Sequence, residues 1–215
     1  MLDPKAVSTI TMILGYIIYG CLAMIALWGA FCVIVVWRRV AQTRFRSEEE
    51  QEAFLEEIET HLATGEVKSL VEQCEEDPRA MPQLVHLAMT NSNLGLLKLR
   101  HMVADRFQRD VLADLDFRLS WVNTVIKSAP MIGLLGTVIG MMGAFGKMGA
   151  DKNVEANALA GDIYIALITT ACGLAIAIPL VLCVASITVR IRKMEDLVGL
   201  GLTRFFDVLQ QKANE

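Results

Sequence analysis

The placement of charge constrains this chain more than any motif does. Asp, Glu, Lys and Arg are absent from Ala6 to Trp37, from Ser128 to Gly146 and from Ile163 to Val189. Each run reaches the ~18 residues that a bilayer span requires. At ~1.5 Å per residue the first and third exceed the ~30 Å hydrocarbon core, and the second just fills it. The expected fold is therefore an all-α membrane protein with three transmembrane helices.

Composition narrows the partners. The 54% hydrophobic content is too high for an ordinary soluble domain. The net charge of −4 offers no basic surface to a phosphate backbone, so a lipid bilayer is expected as a partner and nucleic acid is not. Cys21, Cys32, Cys172 and Cys183 lie inside apolar runs, and only Cys74 lies in a polar stretch. They are expected as buried small hydrophobes, not as ligands or bridges. The first run is expected to be a retained anchor. Met1 to Lys5 carries no net positive charge, the run is far longer than a ~7–15-residue signal core, and Arg38 and Arg39 follow it directly.

Basic residues at the span ends set the expected orientation. Arg38, Arg39, Arg44 and Arg46 follow the first span, Arg118 and Lys127 precede the second, and Arg190, Arg192 and Lys193 follow the third. The other side has Lys5, Lys147 and Lys152, so the N-terminus and a short loop around Asp151–Gly161 should face outward, giving N-out, C-in. Four segments result: 1–37, the periplasmic N-terminus and first span; 38–127, a cytoplasmic helical segment; 128–189, the second and third spans with their periplasmic loop; and 190–215, a cytoplasmic C-terminal helix.

The 38–127 segment reads as helical. Ser47 with Glu50 forms a capping box before Phe54, Leu55, Ile58 and Leu62, and Gly65 closes that helix. Val67, Leu70, Val71 and Cys74 mark a second helix ending before Pro78, and Leu84–Met89 a third. From Leu94, apolar residues recur at helical spacing with no strong breaker before Pro130, so one helix is expected to run from the cytosol into the second span, reaching ~50 Å below the bilayer. The third span is expected to continue past Arg190 to Leu209, and two such tails side by side would make a stalk. Glu48, Glu49, Glu50, Glu52, Glu56, Glu57 and Glu59 form an acidic face expected to be solvated or to meet a cytoplasmic partner.

The second span sorts its residues by size. At ~100° per residue, Gly133, Gly136, Thr137, Gly140, Gly143 and Ala144 share an arc of about 120° opposite Leu134, Leu135, Val138, Met141, Met142 and Phe145. In lipid, such a face lets another helix approach closely. In the third span Asp162, Ala166, Thr169, Thr170, Gly173 and Ala177 share an arc of roughly 100°. Packing alone accounts for the glycines. Thr137, Thr169 and Thr170 are either structural, bonding back to their own helices, or a polar track.

The sequence Gly133-Leu134-Leu135-Gly136-Thr137-Val138-Ile139-Gly140-Met141-Met142, followed by Ala166-Leu167-Ile168-Thr169-Thr170-Ala171-Cys172-Gly173-Leu174-Ala175-Ile176-Ala177-Ile178-Pro179, resembles the paired signatures of the MotA/TolQ/ExbB proton-channel family. The resemblance covers about Trp121 to Phe206. Three spans and a cytoplasmic segment after the first resemble the ExbB and TolQ branch, since MotA-type stators have four spans. The resemblance implies a homopentamer in the bacterial inner membrane, whose second and third spans surround the single-span helices of two ExbD-, TolR- or MotB-like partners. A membrane-embedded Asp on the partner takes up and releases protons, and the proton-motive force energises work in the cell envelope, as in biopolymer transport. Thr137 and Thr170 match the channel-facing threonines, with Thr169 beside them. Gly133, Gly136, Gly140, Gly143 and Gly173 would pack the helices.

One position departs from that pattern. ExbB and TolQ sequences place a glutamate five residues before the second threonine, where this chain has Ile165. The lumenal carboxylate ring is thus missing, as on the MotA side. Asp162, ~12 Å along the axis from Thr170, is expected either as an acidic ring where protons come in or as a solvated acid at a span terminus. The alternatives to an ExbB-like motor are a MotA-like stator acting on a cytoplasmic or rotary element and a non-conducting membrane scaffold. His61, His86 and His101 lack metal-ligand spacing, and no phosphate loop, nucleophile triad or H-E-x-x-H pattern occurs. Neither enzymatic activity, a metal nor a cofactor other than conducted protons is expected.

Overall fold

The computed structural model describes residues 4–64, 67–150 and 156–214, and every regular element among them is helical. The elements are α1 (Pro4–Thr43), α2 (Glu48–Thr64), α3 (Val67–Glu76), α4 (Ala80–Thr90), α5 (Leu96–Arg106), a π-helical turn (Phe107–Leu112), α6 (Ala113–Ala150) and α7 (Ala156–Asn214). Three helices are long and apolar enough to cross a membrane, which makes this a multi-pass all-α membrane protein. The loop expected around Asp151–Gly161 is helical from Ala156 onward. Gly65, Asp151 and Lys152, to which the sequence reading gave roles, lie outside the described residues.

The chain divides into two compact units, Met1–Ile34 with Leu119–Ala185 and Val35–Arg118 with Ser186–Glu215. The interior of the first is built from modest side chains, among them Leu22, Val122, Val125, Ala129, Ala166 and Ala177. Its largest apolar residues, including Leu27, Trp28, Phe31, Met142 and Leu182, point outward. This inverts the soluble pattern, because lipid tails solvate Leu and Trp as well as a protein core does, and small residues bring backbones together. Pro130 and Pro179 lie inside α6 and α7. Each lacks an N–H, a defect that packed spanning helices tolerate.

The second unit has a conventional core with Phe45, Ile58, Leu62, Leu70, Met81, Val85, Val103, Phe205 and Phe206 buried. At the start of α2, Ser47 Oγ accepts from the Glu50 N–H at 3.2 Å. The returning bond reaches Arg46 N–H instead of Ser47, at 2.9 Å, one residue outside the standard box. Glu50 also pairs with Arg79 at 2.8 Å, and Arg79 lies 4.1 Å over the Phe45 ring and binds Asp77. Burial alone would raise the Asp77 pKa, but the hydrogen bonds and charge of Arg79 outweigh it and hold this carboxyl below its ordinary value.

The acidic face of α2 is partly engaged within this unit. Glu48 pairs with Lys193 at 2.9 Å, Glu59 with Arg204 at 2.6 Å, and Glu57 accepts from Gln73 at 2.9 Å. The basic positions of α7 face it, a complementarity invisible along α2 alone. Exposed pairs of this kind fix register more than they add stability.

Candidate functional site

The residues singled out by sequence converge on the seam between α6 and α7. Ala129 lies against Gly173, Gly133 against Thr169 and Thr170, Gly136 against Thr169, and Gly140 against Ala166. One number falls as the other rises, so the two helices run antiparallel. A Cβ on Gly133 would stand 2.7 Å from the Thr169 carbonyl oxygen, and one on Gly173 2.6 Å from the Ala129 carbonyl oxygen. Backbone atoms cannot turn aside from such a contact. At Gly136 and Gly140 the obstructing atoms are the Thr169 hydroxyl at 2.5 Å and the Ala166 Cβ at 2.6 Å. Gly143 is partly buried further along α6.

The first span docks on one flank of this pair. A Cβ on Gly29 would meet Val125 Cγ1 at 2.8 Å and Leu180 Cδ1 at 2.9 Å. Tyr19 donates its hydroxyl to the Ile165 carbonyl at 3.3 Å. These two anchors were missed in the sequence. The available signal was Gly29 itself, a small residue set between Trp28 and Phe31.

The three threonines, grouped by sequence, occupy different surroundings. Thr169 is 4% exposed, and its hydroxyl lies 2.6 Å from Ala166 O and 3.0 Å from Gly133 O. Its single hydrogen is shared between its own helix and the neighbouring one. Thr137 is partly exposed and donates to Leu134 O at 2.7 Å. The Thr170 hydroxyl oxygen is shielded from solvent and has no hydrogen-bond partner among the described residues.

Helix geometry orders these positions. With Gly133 and Ala166 marking the seam, Thr137 and Thr170 each come four residues later, ~40° past it. In antiparallel helices the same turn carries both to the same side, within about one helical turn of each other along the axis. Val125 and Leu180 fall ~80° and ~40° to the opposite side, where α1 sits. Thr137 and Thr170 therefore share the flank that α1 leaves open. Ile165 lies on the α1 side of the seam with its side chain 56% exposed. Asp162 is partly exposed, ~80° around α7 from Thr170.

Other candidates do not assemble into a site. Among the described residues no three His, Cys, Asp or Glu side chains cluster as metal ligands. Cys32 and Cys74 are buried, Cys172 and Cys183 are intermediate, and Cys21 is exposed, against the expectation of burial for all. Cys21 faces out of a lipid-solvated helix, where an apolar thiol needs no protein cover. Burial first, and then the charges of Asp77 and Glu57, push the Cys74 thiol up to about 11, which keeps it protonated and unreactive near neutral pH.

Residues 98–198, just under half of the chain, match the MotA/TolQ/ExbB proton channel family. The Tol-Pal system protein TolQ of Haemophilus influenzae is 34% identical over 102 residues, 47% of this chain and 45% of that one. An ExbB homologue named for biopolymer transport in Methanothermobacter thermautotrophicus is 45% identical over 82 residues, 38% of this chain and 29% of that one. The biopolymer transport protein ExbB of Xanthomonas campestris pv. campestris is 52% identical over 63 residues, 29% of this chain and 25% of that one. The aligned stretches thus span less than half the length of each relative.

Proposed function

We propose that this chain is the channel-forming subunit of a proton-driven motor of the ExbB and TolQ kind, set N-out, C-in in the inner membrane. It works as a homo-oligomer around a single-span partner carrying a membrane-embedded Asp, and the proton-motive force energises that partner's action in the cell envelope. The observation that supports this reading is the open flank bearing Thr137 and the unpartnered Thr170 hydroxyl. A shielded hydroxyl without a partner costs ~1–3 kcal/mol. A turn of the Thr170 side chain toward the open flank, where a polar group from another helix can meet it, would relieve that cost.

A partner carboxylate suits the position. When ionised it accepts from the threonine hydroxyl, and when protonated it both donates and accepts. This chain supplies no Asp, Glu, Lys, Arg or His of its own over 128–146 or 163–189. The proton-carrying group therefore comes from the partner, with Asp162 as an acidic ring at one end of the path. At ~2.3 kcal/mol per charge per 100 mV, a few protons suffice to bias a rotation or rocking step. Ile165 favours a second reading, a stator of the MotA kind, which differs in the element it pushes rather than in the proton path.

The test is proton uptake by proteoliposomes holding the chain with its co-purified single-span partner, driven by a potassium diffusion potential. Thr137→Val and Thr170→Val should each cut partner-dependent flux at least about tenfold and leave the assembled complex intact, a loss of ~1.4 kcal/mol in barrier terms. Thr169→Val should instead lower thermal stability, by ~0.6–1.7 kcal/mol, because its hydroxyl bridges the two helices. Unchanged flux in both channel-flank variants would overturn the assignment.

A further inference from the structure

A second feature lies where the first and third charge-free runs end. Trp37 is the last residue of the first run and Arg190 the first residue after the third. The Arg190 guanidinium lies 4.3 Å over the Trp37 ring. With Val40, Ala41, Arg44 and Ile187 these residues line a small cleft whose free volume, about 10 Å³, holds roughly one water-sized group.

Among the described residues, nothing balances the charges in this cleft. Arg44 and Arg190 are both partly buried, and no carboxylate pairs with either among the described residues. The acids that pair with the sequence neighbours of these arginines are engaged there, Asp114 with Arg39 at 3.6 Å and Glu48 with Lys193 at 2.9 Å. A guanidinium partly withdrawn from water with no counter-charge is unfavourable unless an anion comes to it. Stacking on Trp37 occupies the flat face of Arg190 and leaves its in-plane N–H edge for an oxygen acceptor.

Depth selects the anion. Trp sits by preference where hydrocarbon gives way to headgroups, and a basic pocket between spanning helices at that level meets lipid phosphates before any soluble anion. The cleft is too small for an acyl chain or a whole headgroup, but one phosphate oxygen fits its floor.

We propose that this cleft binds the phosphate of an anionic phospholipid headgroup, held by Arg44 and Arg190 beside Trp37. The site depends on the chain spanning a membrane and is independent of the proton-channel reading.

Native mass spectrometry of the full chain in detergent, titrated with phosphatidylglycerol or with phosphatidylcholine of the same acyl chains, tests it. The wild-type chain should retain phosphatidylglycerol selectively. The double variant R44Q/R190Q should weaken that binding at least about tenfold, the scale of losing charge-assisted hydrogen bonds. R38Q/R192Q removes the same charge from two exposed arginines and should change it less than about threefold. Equal loss in both double variants would overturn the site in favour of diffuse attraction. Equal retention of phosphatidylcholine would overturn the selectivity, and displacement of the lipid by millimolar inorganic phosphate would reassign the cleft to a soluble anion. Should R44Q/R190Q fail to fold, R44K/R190K keeps the charge and removes the guanidinium fork. Selective loss of phosphatidylglycerol in that variant supports the proposal, and unchanged binding overturns it.

Discussion

One methyl group added to Gly133 or Gly173 would place a carbon 2.7 or 2.6 Å from a carbonyl oxygen on the facing helix. Relief requires the helices to part. Gly133→Ala and Gly173→Ala should each cost ~1–3 kcal/mol, the scale of overpacking in a close-packed interior. Gly20, with nothing within 4 Å of an added Cβ, is the control, and Gly20→Ala should stay within ~0.5 kcal/mol. Thermal unfolding in one detergent compares them, and equal shifts at all three positions would remove Gly133 and Gly173 from the seam. The sequence already grouped the small residues by helical phase. It could not separate Thr169 from Thr170, because adjacent residues lie only ~100° apart and which one meets α6 depends on the rotation of the partner helix.

At the scale of elements, the π turn at Phe107–Leu112 answers a mismatch in the apolar spacing. Leu99, Val103, Phe107, Leu115 and Leu119 are buried at multiples of four residues. In an α-helix each four-residue step turns the side chain ~40° further, so five steps would carry the stripe ~200° off its face. One wider turn absorbs part of the excess. The helical character of 94–127 was legible in the apolar spacing, and the wider turn was not, because a spacing of four is read as helical without summing its drift. Deleting exposed Gln108 should return the turn to α geometry, keep both flanking faces in place and hold stability within ~1 kcal/mol. Deleting exposed Asn123 offers no such reserve and rotates everything after it by ~100°, so that variant should lose cooperative thermal unfolding. Similar behaviour of the two deletions would argue against this account of the turn.

For the whole molecule, the three spans were legible because a bilayer imposes a length and an absence of charge that nothing else in the sequence mimics. The contact of Trp37 with Arg190 and the engagement of the acidic face were not, since each joins residues far apart in the chain. In the most apolar windows of the three long helices only 17%, 22% and 22% of residues are buried within the chain. That much open apolar surface must meet lipid or other copies. On the motor reading proposed above, native mass spectrometry after gentle extraction should give a multiple of the 23.7 kDa chain with a single-span, Asp-bearing subunit attached, and the family resemblance sets the expectation at five copies with two. A bare monomer, under conditions shown to preserve other membrane complexes, would overturn the motor architecture.

The seam also bears on how this protein can change over generations. Most interiors drift by trading volume, one side chain growing while its neighbour shrinks. Where Gly133 and Gly173 press against carbonyl oxygens, the facing atoms are main chain and have nothing to give up, and no residue smaller than glycine exists to take the other half of an exchange. Adaptation at these two positions has no small steps open to it, so variation in this protein must accumulate on the outward faces of the same helices.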